Sequence, residues 1–262
     1  MKVINLKGLR NSRDIGGYIN KDGKKIVDEK FIRSCELSKT NKKTRNILLN
    51  DHNVKTIIDF RTDVELKKKP IPKMKNVSII HLPVLEDENL GIPRNFRQFK
   101  NMWKLVLTDN VPPETFMVNM YLNMAFSDYS ANKYQEFFKI ILDNPDGAIL
   151  YNCTEGKDRT GLATMFLMLC LNFDKETIIN DYMVSKSFCD IKKNLYYKRC
   201  RRFFISKRIT NFLTGIMSTK EMFINAVFEK IEKDYLTIEN FLSQRLNLKL
   251  NDILKLQKLF LV

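Results

Sequence analysis

The segment 148–173, AILYNCTEGKDRTGLATMFLMLCLNF, limits the folds open to this chain more than any other stretch. A short apolar run ends at Asn152, and an almost wholly apolar run begins after Thr160. Between them stand a lone thiol, a glycine and four charged residues. A short apolar run bounded by a turn reads as a buried strand, and a helix apolar on all sides reads as a buried helix. A buried strand feeding a buried helix is a unit of an α/β sheet.

The flanking sequence continues the alternation. VKTIIDF reads as a buried strand ending at Asp59, RTDVELKKK as the start of a helix, and SIIHLPV as a strand over 78–84. Residues 1–40 read as a loop-rich entry with short strands, and Asp22-Gly23 marks a hairpin. SKTNKKTRNILLNDHN predicts a capped helix with Ile47 and Leu48 on its apolar face and Asn53 as a left-handed cap. From 86 to 132 the pattern loosens, with helices expected near 95–107 and 114–126, and a long insertion of this kind suits a lid or binding loop. ANKYQEFFKIILDNP is an amphipathic helix closed by Asn-Pro. Beyond the 159–173 helix, helical patterns follow at 175–187, in a basic stretch at 192–213, and at 219–233, 237–245 and 250–260. The expected architecture is one domain over 1–262: a central, mostly parallel sheet flanked by helices, a lid at 86–132, and a helical tail at 192–262 packed on the domain.

Composition narrows the function classes. A formal net charge of +15 attracts anions without selecting one. The five cysteines form no C-x-x-C pair and the two histidines lie far apart at 52 and 81, so zinc-ligand spacing is absent and no metal or other cofactor is expected. The opening residues show no signal-peptide pattern, and LATMFLMLCL is too short for a membrane span, which predicts a cytoplasmic chain.

The turn itself carries the chemistry. A strand running into a helix N-terminus points several backbone N–H groups into one concavity, with the helix dipole behind them. The same field favours thiolate over thiol at Cys153. Arg159, six residues on, can hold two phosphate oxygens in its planar fork, and the backbone of Thr154, Glu155, Gly156, Lys157, Asp158 and Arg159 would line the cradle. Phosphoryl transfer needs such positioning and an acid for the leaving group. A nucleotide P-loop does not fit: Tyr151 stands where it needs glycine, and Asp158 where it needs Ser or Thr.

CTEGKDRTG resembles the H-C-x-x-G-K-D-R-T-G signature of the atypical bacterial and fungal tyrosine phosphatases, which include dual- and lipid-specific enzymes. The resemblance covers almost the whole chain. NSRDIGGY is similar to that family's N-F-R-D-x-G-G-Y opening, FIRSCELSKT to its Y-R-S-x-x-L-S segment, and VKTIIDFRTDVE to its strand ending in D-L-R. INDYMVS resembles the D-Y-x-x-S helix, and LTIENFLSQRLNLKLNDILKLQKLFL the closing helices. The resemblance implies a cysteine-phosphatase fold and a metal-independent phosphatase acting on phosphotyrosine through phosphocysteine. Phosphoinositide or dual-specificity hydrolysis is the alternative, and a catalytically weakened phosphate-binding module is a second.

Two positions depart from the pattern. Asn152 replaces the histidine that helps organise the loop, and Glu155 puts a carboxylate where it repels dianions unless it points outward or pairs with a lysine. The resemblance implies Asp158 as the acid, as in the similar myotubularin loop. Asp59 is the rival, or else orients Arg159 together with Arg61. The only tryptophan, Trp103, lies in no Trp-Pro-Asp loop. Thr160 supports the turn, and Lys157 is expected to add charge at the rim. Tyr182, Phe188, Met165, Met168 and Cys170 read as core. The expected partner is a phosphorylated protein or phosphoinositide rather than nucleic acid. The stretch 192–208, with eight Lys/Arg among aromatics, suits peripheral contact with an anionic membrane.

Overall fold

The computed structural model describes residues 1–86, 104–108, 110–143, 146–203 and 205–262. Among the described residues, six strands form one mixed sheet: β1 (Lys2–Val3), β2 (Arg13–Asp14), β3 (Phe31–Ser34), β4 (Val54–Asp59), β5 (Ser78–His81) and β6 (Ala148–Asn152). Their order is β1-β2-β3-β6-β4-β5. The β1/β2 and β2/β3 pairs are antiparallel, and β3/β6, β6/β4 and β4/β5 are parallel. The last strand in sequence thus lies mid-sheet, covered on both faces.

That position explains its composition. Every residue of β6 is buried. Ile149 and Tyr151 point to one face, into a cluster with Phe31, Ile58, Phe60, Phe137 and Phe166, whereas Ala148 and Leu150 point to the other, with Ile32, Leu48 and Ile57. The period-two alternation of a strand becomes an unbroken apolar run because both faces have partners.

Helices α1 (Lys42–Asn50) and α2 (Asp63–Lys68) belong to the first half of the sheet. The Asn41 side chain caps α1 by accepting from Thr44 N, and Thr62 with Glu65 forms a capping box on α2. Asn53 has φ of 47°, the left-handed conformation expected of it. The Asp22-Gly23 turn is closed by a bridge between Ile19 and Lys25, with Gly23 at φ 75°. Much of the expected lid, including Trp103 and most of the 95–107 helix, lies outside the described residues. Lys104–Thr108 forms one π-helical turn, followed by α3 (Pro113–Phe126) and α4 (Asp128–Asp143).

The second half is helical: α5 (Asp158–Cys170), α6 (Lys175–Arg202), α7 (Lys207–Ile216), α8 (Glu221–Tyr235), α9 (Ile238–Gln244) and α10 (Leu250–Phe260). The helix expected over 175–187 and the first half of the basic stretch after it are one 28-residue helix. Neither Gly nor Pro occurs between 175 and 202 to stop it. All of α5 from Arg159 to Cys170 is buried, Met165 and Met168 among them. Phe188 is only half-buried. All five cysteines are free and buried. Among the described residues, no helix is long and apolar enough to cross a membrane.

Candidate active site

The register of the parallel strands places Ser34, Asn152 and Asp59 side by side at the carboxyl ends of β3, β6 and β4. The loop 153–157 leaves the sheet there, at the edge where open α/β sheets hold their ligands. Cys153 is 1% exposed, so its thiol forms the floor of the site rather than its rim. Gly156 is at φ 66°, and a Cβ there would lie 2.5 Å from Ser34 O. Both conformation and space require glycine.

The loop carbonyls are turned toward the N-terminal segment. Asn11 Nδ2 donates to Glu155 O and Gly156 O, each at 2.9 Å, Arg33 Nη2 donates to Gly156 O at 3.0 Å, and Glu36 N to Thr154 O at 3.4 Å. The amide N–H groups of 154–159 meet no acceptor among the described residues. Carbonyls fixed outside and amides free inside, at the N-terminus of α5, make an anion cradle.

Behind the loop sits a buried charge network. Arg13 Nε donates to Asp181 Oδ1 at 2.8 Å, and Arg33 Nη1 pairs with Asp181 Oδ2. Arg13 Nη1 also donates to Asn11 Oδ1 at 2.9 Å, and Asn11 Nδ2 reaches Ser185 Oγ at 3.3 Å. Burial alone would raise the Asp181 carboxyl, but the two guanidiniums overcome it and hold the pKa down at about 2.

Arg159 is gripped by Glu65. Its Nη1 pairs with Glu65 Oε2 and donates to Phe60 O at 3.3 Å, and its Nη2 donates to Glu65 Oε1 at 3.1 Å. Thr154 Oγ1 donates to the same carboxylate. Burial would lower the Arg159 pKa, but Glu65 and Cys153 raise it further, so the guanidinium stays charged. Glu65 reaches the site because its capping-box bond, in which Thr62 N donates to Oε2 at 3.0 Å, folds it back over the start of α2.

This arrangement corrects the expectation that Asp59 with Arg61 orients Arg159. The fully buried Asp59 accepts from Arg61 Nη2 at 2.6 Å, from Arg61 Nε at 3.0 and 2.9 Å, and from Asn152 Nδ2 at 3.0 Å. Both its oxygens accept bonds from Arg61, and Oδ1 also accepts from Asn152, so Asp59 braces the end of β4 against β6. Arg61 turns away, donating to Lys69 O at 2.7 Å. Asn152 fills the histidine position with one bond to Asp59, and its Oδ1 has no partner among the described residues.

Lys157 is likewise not at the rim. It is 3% exposed, and its Nζ donates to Ser218 O at 2.8 Å and Ile216 O at 3.3 Å. The carbonyls that end α7 attract a cation, and they tie the loop to the helical half. Glu155 pairs with Lys192 and lies 3.7 Å from Arg10, so its charge is met on two sides. Asp158 is anchored through Oδ1, which takes a bond from Tyr121 OH at 2.6 Å and lies 3.2 Å from Lys157 Nζ. Its Oδ2 has no partner among the described residues, and its side chain is 23% exposed. Tyr182, expected only as core, also bonds Tyr121 OH at 2.7 Å. Burial first and Asp158 second raise both phenols well above their ordinary value, so they remain neutral. Thr160 is buried, with its Oγ1 unpartnered among the described residues.

A thiol on the floor of an amide cradle, beside a buried arginine, defines a cysteine phosphatase site. The chain belongs to the tyrosine phosphatase family, whose sequence profile matches residues 4–262. It is 21% identical over 243 residues to a provisionally named tyrosine-protein phosphatase of Cupriavidus necator, covering 91% of this chain and 82% of that one. It is 32% identical over 62 residues to a tyrosine-protein phosphatase of Nostoc commune, covering 24% of this chain and 21% of that one. The core catalytic domain of the PP-IP phosphatase SIW14 from S. cerevisiae, solved with citrate, shares 13% identity at a TM-score of 0.37, over 87% of this chain and 96% of that one. That likeness is too weak to bear on substrate.

Sequence reasoning missed Glu65, Tyr121 and the roles of Asn11, Arg13, Arg33 and Asp181. The Thr62-x-x-Glu65 spacing was a readable sign of a capping box. Nothing local marked Tyr121, which meets Asp158 from 37 residues away.

Proposed function

We propose that the chain hydrolyses phosphotyrosine esters through a phosphocysteine intermediate. Cys153 Sγ attacks phosphorus in line with the ester oxygen, forming S–P as P–O breaks. The amides of 154–159 and the Arg159 fork bind the three equatorial oxygens as charge spreads over them. Asp158 gives its proton from Oδ2 to the departing phenolate oxygen. The resulting carboxylate then takes a proton from the water that attacks phosphorus, and S–P breaks to release phosphate and thiolate. The observation that carries this reading is the cradle: free amides, an arginine fixed by Glu65, and the thiol on the floor. The depth of Cys153 favours a long aryl ester, because a phosphorylated serine side chain is shorter.

A phosphoinositide is the second reading. It is favoured by a cavity of about 140 Å³ beside Thr154, lined by Arg61, Glu65, Lys68 and Lys69, where a further ring phosphate would meet positive charge. A panel of p-nitrophenyl phosphate, a phosphotyrosine peptide and a soluble phosphoinositide, assayed with chelator, separates the readings. The expected order places the peptide above the inositide in kcat/KM, and absence of all turnover would leave only a phosphate-binding module.

The acid has its own test. Asp158→Asn is expected to slow a phosphotyrosine peptide by about 10²–10⁴-fold, and p-nitrophenyl phosphate far less, because an activated phenolate leaves without a proton. Asp59→Asn is expected to harm both substrates alike, through Arg61 and Asn152. A defect that depends on the leaving group at Asp59, and a uniform one at Asp158, would reverse the assignment.

A further inference from the structure

The second half of α6 and the turn after it expose large apolar side chains among unpaired basic ones. Ile191, Leu195 and Phe203 are 66%, 64% and 64% exposed, with Tyr197 and Ile205 at 42% and 39%. These are large apolar side chains, held in water within fifteen residues of one another. Residues 192–208 carry eight Lys/Arg and no Asp or Glu. Lys192 is taken by Glu155 and Lys193 lies 3.8 Å from Asp190, but Lys198, Arg199, Arg201, Arg202 and Lys207 have no acidic partner among the described residues. Helical spacing places Ile191, Leu195, Lys198, Arg199 and Arg202 along one face. The opposite side of the helix is fixed to the protein by the buried Cys189 and Cys200.

We propose that this face docks on an anionic lipid bilayer, with Ile191, Leu195 and Phe203 entering the headgroup–acyl boundary and the basic residues meeting lipid phosphates and carboxylates. Each half of the pattern excludes a different occupant. A nucleic acid backbone would satisfy the charges but offers nothing to Ile191 and Leu195, whose aliphatic side chains gain only from hydrocarbon. A second copy of the chain, packed through the same face, would set the unpaired cations against each other. A bilayer with acidic headgroups satisfies both parts, and amphipathic helices with basic polar faces bind there.

The same helix touches the catalytic loop through Lys192 and Glu155. From Lys192 to Phe203 is about 16 Å along a helix at 1.5 Å per residue. Docking therefore fixes the element against which the loop is braced. The proposal stands apart from the phosphatase reading, because vesicle binding is measured without turnover.

The test is vesicle flotation of the full chain in about 0.15 M salt, where surface charge is screened beyond roughly 8 Å. Vesicles of phosphatidylcholine with about 30% phosphatidylserine should bind the protein at least about tenfold more tightly than phosphatidylcholine alone. A variant with Lys198→Gln, Arg199→Gln, Arg201→Gln and Arg202→Gln should lose roughly 10²-fold or more of that binding. Ile191→Ser with Leu195→Ser and Phe203→Ser should lose roughly tenfold or more. Melting temperatures within the error of the unaltered chain would establish that both variants fold. Equal binding to the two vesicles overturns the proposal, as does full binding by the serine variant, which would mean adsorption by charge alone. Tighter binding to a short DNA or RNA duplex than to the acidic vesicles, or self-association abolished by the serine variant, also overturns it.

Discussion

Cys153→Ser is expected to lower turnover by roughly 10⁴–10⁶-fold while leaving affinity for inorganic phosphate or vanadate within a few-fold of its original value. The two effects separate because different atoms produce them. Binding comes from backbone amides and from the Arg159 guanidinium, which Glu65 and the Phe60 carbonyl hold in place without help from the thiol. In the proposed reaction bond formation to phosphorus comes from sulfur alone, since a serine hydroxyl is a far weaker and less polarisable nucleophile than a thiolate. Calorimetric titration of the variant with phosphate, beside its p-nitrophenyl phosphate turnover, checks both halves. Residual hydrolysis within a hundredfold of the original enzyme would rule out a thiolate nucleophile. Loss of phosphate binding would mean that sulfur holds the cradle open.

Asp181→Asn is expected to lower unfolding free energy by about 3–5 kcal/mol, although Asp181 contributes no atom to the cradle. Arg13 and Arg33 are 1% and 0% exposed and share this carboxylate, so its neutralisation leaves two buried guanidiniums without a counter-charge. A pH signature accompanies the loss. The folded pKa of about 2 lies below the unfolded value of 3.8, so the unfolded chain takes up this proton first as the solution is acidified. The stabilisation is complete above pH 3.8 and is lost as pH falls toward 2, a contribution on the order of 2 kcal/mol. Urea titrations at a series of pH values should show the original chain losing stability across that window and the variant losing less. A change below about 1 kcal/mol at neutral pH would show the network to be dispensable. Turnover should also fall, because Arg33 releases the Gly156 carbonyl that it orients.

The parts of the molecule legible in the sequence are those governed by neighbouring residues. The run Ala148–Asn152 into α5 could be read because burial on all sides leaves no polar positions to interrupt it. The end of β4 at Asp59 could be read from the change of pattern after it. The two-residue strands β1 and β2 are too short to show any periodicity. The long α6 was divided in reading because its second half is basic and lacks an inward apolar stripe, although no breaker residue interrupts it. Within the site, the places of Cys153, Gly156 and Arg159 followed from the turn itself. Glu65 did not, because RTDVELKKK has the composition of a solvated first turn and only the cap geometry swings the carboxylate inward. Lys157 was misplaced for the same reason. Its partners, the carbonyls of Ile216 and Ser218, stand far along the chain.

The outward fixing of the loop carbonyls bears on when the cradle takes shape during synthesis. Asn11 and Arg33 lie well over a hundred residues before the loop they hold, whereas Asp181, which positions both arginines, comes more than twenty residues after it. Lys157 finds its carbonyls at Ile216 and Ser218. When Arg159 leaves the ribosome, Asp181, Ile216 and Ser218 have not yet been made, and translation through Ser218, about sixty residues on, takes several seconds at about 5–20 residues per second. Over that interval the nascent chain carries Cys153 without a formed cradle around it. A truncated product ending before Asp181 would lack the carboxylate that positions Arg13 and Arg33, so the cradle takes its shape only after the first part of the helical half has been made.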